Sequence, residues 1–366
     1  MDTRFEIFLS APPGLEPVLL EEVAEAGFAE PQAVPGGVTV MGGWAEVRRA
    51  NLVLRGAGRV LARVGEFRAF HLAQLDKRAR KFPWAGVLRP DVPVRGDVTC
   101  RNSRIYHDRA ARQRVERAIT ETLGAPIEAE APVRVMVRIE DDLVTISVDT
   151  SGEPLHRRGF KEAVGKAPMR ETLAALFLRQ CGYSGTEPVL DPMCGSGTFV
   201  IEAAEIAAGL APGRGRSFAF EALAGFDAAE WAAEKAGLQR RETETLFRGS
   251  DRDDGAIRAS LANATRAGVA EICAFERHAV SDLKRPDGPP GLVIVNPPYG
   301  ARIGDRKLLF ALYGALGARL REDFTGWRLG MVTSDGGLAK ATGLALEAGP
   351  PVAFGGLAVK LYQARI

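Results

Sequence analysis

"GLVIVNPPYG", Gly291 to Gly300, begins as a strand and then cannot remain one. Leu292, Val293, Ile294 and Val295 are apolar without alternation, which predicts a central parallel strand covered on both faces. Pro297 and Pro298 have no N–H to give to a ladder, so pairing must end there. In an open parallel sheet, ligands collect just beyond the carboxyl ends of the strands. The stretch therefore predicts a doubly wound α/β sheet around it, with chemistry at its end.

The flanking sequence repeats the same rhythm. From about residue 166 onward the apolar strands "PVLD", "LFRGSD", "EICAFERHA", "GLVIVN" and "WRLGMVTSD" alternate with helical stretches, the pattern of a mostly parallel sheet with helices on both faces. "PVLDPMCGSGTFVIEAAEIA" (Pro188–Ala207) reads as a strand ending at Asp191, a turn through Met193, Gly195, Ser196 and Gly197, and a helix from about Thr198. Small residues beside a helix N-terminus let a ligand approach the backbone closely. A dinucleotide fingerprint would place Gly or Ala where Val200 stands and an acid about 20 residues on, and neither is present. A carboxylate at the lip of the turn suits a cationic ligand group better than a pyrophosphate. S-adenosylmethionine (SAM) fits, having an α-amino group, a sulfonium and no phosphate. An ordinary tight βα turn is the plain alternative. The next strand ends at Asp251, where an acid can accept from both ribose hydroxyls, although Asp251 or Asp253 would be equally ordinary as a helix N-cap.

The end of the opening stretch has its own chemistry. Asn296 offers a side-chain oxygen and Pro297 a main-chain carbonyl on a rigid backbone, two convergent acceptors for an exocyclic NH₂. Such a nitrogen is a poor nucleophile, because its lone pair is delocalised into the ring. Holding both hydrogens turns that lone pair toward an electrophile and stabilises the positive charge developing on nitrogen. Tyr299 supplies a face for stacking a flipped base. A proline-rich turn after a strand remains the bland reading.

Up to about residue 150 short strands and helices mix, which suggests α+β rather than a doubly wound sheet. "VRVMVRIEDDLVTISVDTSG" reads as a hairpin turning at Asp141-Asp142. "SGEPLHRRGFKEAVG" (Ser151–Gly165) reads as a polar linker with His156, Arg157 and Arg158 exposed. The net charge of +2 hides an imbalance, since Arg48 to Arg117 carries 18 Lys and Arg against 6 Asp and Glu. Phosphates reward such clustering, so an RNA-binding face is expected there, with a solvated Arg-rich surface as the alternative. The loop and linker arginines Arg101, Arg104, Arg157 and Arg158 are its candidates.

The four cysteines and four histidines are scattered, with no C-x-x-C pair, so neither a disulfide framework nor metal catalysis is indicated. No apolar run approaches the roughly 20 residues that span a bilayer, and no signal-type segment opens the chain. A cytoplasmic location without a membrane partner is the expectation.

"DPMCGSGT" followed by "NPPYG" resembles the amino-directed, SAM-dependent Rossmann-like methyltransferases. "NSRIYH" (Asn102–His107), "SGEPLHRRGF" and "APMRETLAALFL" are similar to the THUMP-containing RNA guanine-N2 methyltransferases, particularly the large-subunit ribosomal RNA group. The likeness covers nearly the whole chain. It implies a ferredoxin-like part (1–50), a THUMP RNA-binding domain (51–150), a linker (151–165) and a class I methyltransferase domain (166–366). One catalytic domain is then expected, without the second, fused one that some relatives carry. By the resemblance Asp191, Met193, Gly195, Ser196, Gly197 and Thr198 line the SAM pocket, Asp251 holds the ribose, and Asn296, Pro297 and Tyr299 form the catalytic loop. Many relatives carry an acid after the third strand for the adenine amine. Ala279 stands there in this chain, so Asp282 or a main-chain group takes that part. The implied reaction is methyl transfer to N2 of a guanine in structured RNA, 23S rRNA or a pre-ribosomal particle. A tRNA guanine-N2 enzyme, a DNA adenine-N6 enzyme and an RNA-binding assembly factor with a vestigial SAM site are the alternatives.

Overall fold

The computed structural model describes residues 4–162, 169–299 and 306–366. The first part of the chain gives β1 (Phe5–Ser10), α1 (Glu16–Glu25), β2 (Ala29–Val34), β3 (Gly37–Gly42), α2 (Trp44–Val53), β4 (Val60–Arg68), α3 (Leu72–Ala79), β5 (Val94–Arg101), α4 (Asp108–Leu123), β6 (Val133–Glu140) and β7 (Leu143–Asp149). The second gives α5 (Glu171–Gln180), β8 (Val189–Asp191), α6 (Thr198–Ala207), α7 (Ala228–Ala236), β9 (Phe247–Asp251), α8 (Asp254–Ala267), β10 (Cys273–Arg277), β11 (Leu292–Val295), α9 (Arg306–Asp323), β12 (Arg328–Thr333), α10 (Gly336–Ala341), β13 (Glu347–Ala348), β14 (Val352–Phe354) and β15 (Leu357–Arg365).

Two compact units result, one of Met1–Ala11, Leu20–Leu155 and Arg216–Gly237, the other of Pro12–Leu19, His156–Gly215 and Leu238–Ile366. The boundary between Leu155 and His156 falls inside the polar stretch 151–165, of which residues 163–165 lie outside the described residues, as do 166–168. Residues 216–237 follow the Gly-rich turn in sequence and yet pack in the first unit. They carry an aromatic cluster in which Phe218 stacks on Phe220 at 5.2 Å and Trp231 meets Phe220 edge-on at 5.1 Å. Arg48, nearly buried, bonds Glu234 at 2.6 Å and pairs with Glu230 at 2.8 Å.

The first unit holds a mixed sheet in the order β2-β3-β1-β4-β7-β6-β5. β6 and β7 form the expected hairpin, and Asp141 and Asp142 at its turn have φ of +50° and +61°. Two left-handed residues in a two-residue connection match the twist of the flanking strands, and Asp tolerates that conformation better than most residues. β2 lies at the sheet edge, where Pro31 costs no ladder hydrogen bond.

The second unit holds the sheet β10-β9-β8-β11-β12-β15-β13, with β14 paired to β15. β10, β9, β8, β11 and β12 run parallel, whereas β15 is antiparallel to β12. All four residues of β11 are fully buried, as expected for a central strand. Leu309, Tyr313, Leu316 and Leu320 recur at helical spacing on α9 and join Val293, Val295, Trp327, Leu329 and Met331 in one core. A side chain at Gly317 would place its Cβ 1.8 Å from the Thr342 carbonyl, so only glycine lets α9 come this close.

Candidate active site

Strand order reverses between β8 and β11: from β8 the chain adds β9 and β10 on one side, and β11 and β12 on the other. At such a switch point the loops diverge and leave a crevice beyond the strand ends, the usual ligand position in an open α/β sheet. The loops flanking it are the two that the sequence singles out, Asp191 to Thr198 after β8 and Asn296 to Tyr299 after β11.

The turn after β8 is built by local necessity and long-range support. Gly195 and Gly197 have φ of +55° and +81°, which L side chains rarely adopt. A Cβ on Gly197 would also sit 3.0 Å from the Ser260 hydroxyl. The Ser260 hydroxyl donates to the Gly195 carbonyl at 2.9 Å, and the Asn263 amide to the Ser196 carbonyl at 3.0 Å. Both residues are fully buried on α8. Sequence reasoning missed them, although two polar residues three apart on the inner face of a helix are a readable signal of a polar partner. Lys161 is a second unforeseen support. Its ammonium donates to Thr198 Oγ1 at 2.9 Å and to the Met169 carbonyl at 2.7 Å, and it pairs with Glu171 at 3.2 Å.

Two carboxylates face this turn. Asp191 is 2% exposed and accepts from the Met193 N–H at 3.0 Å. Burial pushes its carboxyl up to about 8, against the pull of that hydrogen bond. Asp251 accepts from the Gly195 N–H at 3.1 Å and from the Asp253 N–H at 3.0 Å, binding the ends of β8 and β9 together. Asp253, not Asp251, caps α8, accepting from the Ala256 N–H.

On the other side of the crevice, the Asn296 Oδ1 is buried and has no hydrogen-bond partner among the described residues. A buried acceptor left unpaired costs free energy and asks for a donor that arrives with a ligand. Tyr299 is half-buried, and burial raises its phenol to about 12, so it stays neutral. Met193 and Tyr299 pack against the same apolar core. The Pro298 carbonyl accepts from the Tyr313 hydroxyl at 3.3 Å. Gly300, the last residue of the motif, lies outside the described residues.

Asp282 is exposed and lines a cleft with Leu190, Arg248, His278 and Lys284.

The basic candidates divide. Arg101, exposed, ends β5, and Arg104 is exposed in the loop that follows, 5.2 Å from the Phe70 ring. Arg157 is exposed. Arg158 corrects the expectation: it is 4% exposed and forms a buried cluster with Glu202 and Glu205 of α6. A guanidinium carries a charge that apolar surroundings cannot hold, so two buried acids claim it and RNA cannot.

Among the described residues no group of His, Cys, Asp and Glu could hold a metal, and no helix is long and apolar enough to cross a membrane.

Known proteins with the same layout extend these observations. "Ribosomal RNA large subunit methyltransferase K/L" from Chromohalobacter salexigens is 34% identical over 93% of this chain, and that from Syntrophotalea carbinolica is 36% identical over 94%. The chain spans about half the length of these relatives, 50% and 51%. A Listeria monocytogenes crystal structure, described as a predicted N6-adenine-specific DNA methylase, superposes with a TM-score of 0.88 at 30% identity, covering 99% of this chain and 96% of that one. SMU.472, solved in complex with S-adenosylhomocysteine, gives 0.86 at 27% identity over 100% and 99%. Residues 6–61 match the RlmL ferredoxin-like domain. Residues 158–353, which contain both loops of the crevice, match the RMKL-like methyltransferase domain, and the chain belongs to that family.

Proposed function

We propose that this chain transfers a methyl group from SAM to the exocyclic N2 of a guanine in structured RNA, 23S rRNA being the substrate. The observation that carries the reading is the buried, unpartnered Asn296 Oδ1 across the switch point from the Gly195–Gly197 turn. The residues present fit the cofactor. Gly195 and Gly197 carry no side chains to block a close approach, Asp191 is an enclosed carboxyl suited to the ammonium, and Asp251 keeps acceptor capacity on both oxygens for the ribose. Met193, Ser196 and Thr198 complete the lining. When bound, SAM supplies an electrophilic methyl group on a good leaving group.

The chain's own residues do the rest. Asn296 and the Pro297 carbonyl accept the two amine hydrogens and aim the nitrogen lone pair, and Tyr299 stacks the flipped base. No strong general base is required, since the nitrogen can lose its proton to water after transfer. The relatives named for large-subunit ribosomal RNA support that substrate, and Arg101, Arg104 and Arg157 are proposed to hold its phosphates. With Ala279 after the third strand, Asp282 or a main-chain group near it takes the adenine.

The test uses the full chain with SAM, deproteinised 23S rRNA and total tRNA, read by nucleoside mass spectrometry. N2-methylguanosine in 23S rRNA is expected. Product in tRNA alone would move the substrate, and N6-methyladenosine would overturn the guanine assignment, since two acceptors fit any exocyclic NH₂. Asn296→Ala should lose about 10²–10³ in rate, about 3–4 kcal/mol, while keeping SAM binding. Full activity in that variant would refute the mechanism.

A further inference from the structure

Two consecutive prolines make the loop after β11 unusually stiff, and one hydroxyl removes most of the freedom that remains. The rings of Pro297 and Pro298 lock φ near −65° at both positions. The peptide planes are rigid, so the soft torsions left are ψ of Pro297 and ψ of Pro298. Tyr313, fully buried on α9, lies with its hydroxyl 3.3 Å from the Pro298 carbonyl and 3.2 Å from the Thr333 hydroxyl. Thr333 ends β12, the strand beside β11, and its oxygen accepts from the Asp335 N–H at 3.2 Å.

The Tyr313 hydroxyl is the donor in both bonds, so its single proton is shared between the Pro298 carbonyl and the Thr333 oxygen. The Thr333 oxygen, which also accepts from the Asp335 N–H, holds the phenol beside the Pro298 carbonyl. Fixing the Pro298 carbonyl fixes the plane of the 298–299 peptide, and with it the direction in which Tyr299 leaves the loop.

We propose that Tyr313, oriented by Thr333, is a positioning residue for methyl transfer: it sets the Pro298 carbonyl and thereby aims Tyr299 at the target base. The inference rests on the function proposed above. Tyr313 touches neither cofactor nor base, and it acts through the loop.

The test compares Tyr313→Phe, Thr333→Val and Thr333→Ser in the full chain. Phe keeps the ring in the core and Val keeps the volume at 333, so each removes a hydroxyl with little change in packing. At saturating SAM and 23S rRNA, Tyr313→Phe and Thr333→Val should lower kcat about threefold to tenfold, the range one neutral hydrogen bond supports. SAM affinity by calorimetry and the melting temperature should stay near wild type, and Thr333→Ser should recover most of the turnover lost in Thr333→Val. Wild-type kcat in Tyr313→Phe would overturn the proposal. So would losses of SAM affinity and melting temperature that parallel the loss of kcat, the pattern of a merely structural role. A wild-type chain that methylates no RNA would remove the proposed function and this inference together, whereas an active wild type matched by Tyr313→Phe removes the inference alone.

Discussion

At the scale of single residues, Asp191 carries the sharpest consequence. Its strand-end position was legible in the sequence, because a strand, a carboxylate and a Gly-rich turn lie within a few residues of each other. Its enclosure was not, because burial depends on β9 and β11 on either side. Burial pushes its carboxyl up to about 8, so near neutrality the folded protein holds a proton that the unfolded chain releases. The folded state therefore binds more protons between the ordinary carboxylate range and about pH 8, and stability falls as pH rises through that window. Asp191→Asn should flatten this slope, as read from denaturation midpoints at pH 6 and pH 8. The ligand dependence has the opposite sign. A cationic group favours the ionised carboxylate, so SAM affinity should rise with pH, by at most about tenfold per unit, and level off above pH 8. Calorimetry should find binding to Asp191→Asn weaker and flat with pH. The same pH profile in both proteins would exclude Asp191 as the source.

At the scale of elements, α6 shows how the helix after the Gly-rich turn is held. Its face carries Glu202 and Glu205, both buried, and these take Arg158, while Glu205 also pairs with Arg214. Removing one partner strands charge in a low-dielectric setting, which costs more than the intact cluster contributes. Arg158→Ala should destabilise the protein by about 3–5 kcal/mol in chemical denaturation. Arg157→Ala, one residue away and exposed, should cost less, about 1 kcal/mol at most for a surface interaction. Equal costs would contradict the assignment of partners. The two arginines are indistinguishable in "HRRGF", since what separates them is a pair of acids more than 40 residues later. A signal did exist, because Glu202 and Glu205 interrupt an otherwise apolar helix three residues apart and so require a buried cation.

At the scale of the whole molecule, the basic segment and the methyltransferase sheet make separate predictions. Binding of the full chain to 23S rRNA should weaken steeply with salt, and Arg101→Ala and Arg104→Ala should each lower the log–log slope by about 0.7–0.9. A flat salt dependence would make the excess charge a solvated surface. The sequence by itself determined the pieces whose causes are local. Four apolar residues ended by two prolines make a central strand and stop it, paired aspartates turn a hairpin, and glycines with positive φ open the turn after β8. These effects act within a few residues, so a local reading reaches them. Only the tertiary structure decided which pieces meet. Strand order brings Asp191 and Asn296, 105 positions apart, to one switch point, inserts β15 antiparallel beside β12, and folds residues 216–237 into the first unit. It also assigns Arg158 to two buried acids and Tyr313 to the loop after β11. The physical reason is that burial and polar pairing are satisfied across the folded chain, by partners whose distance in sequence leaves no periodic trace.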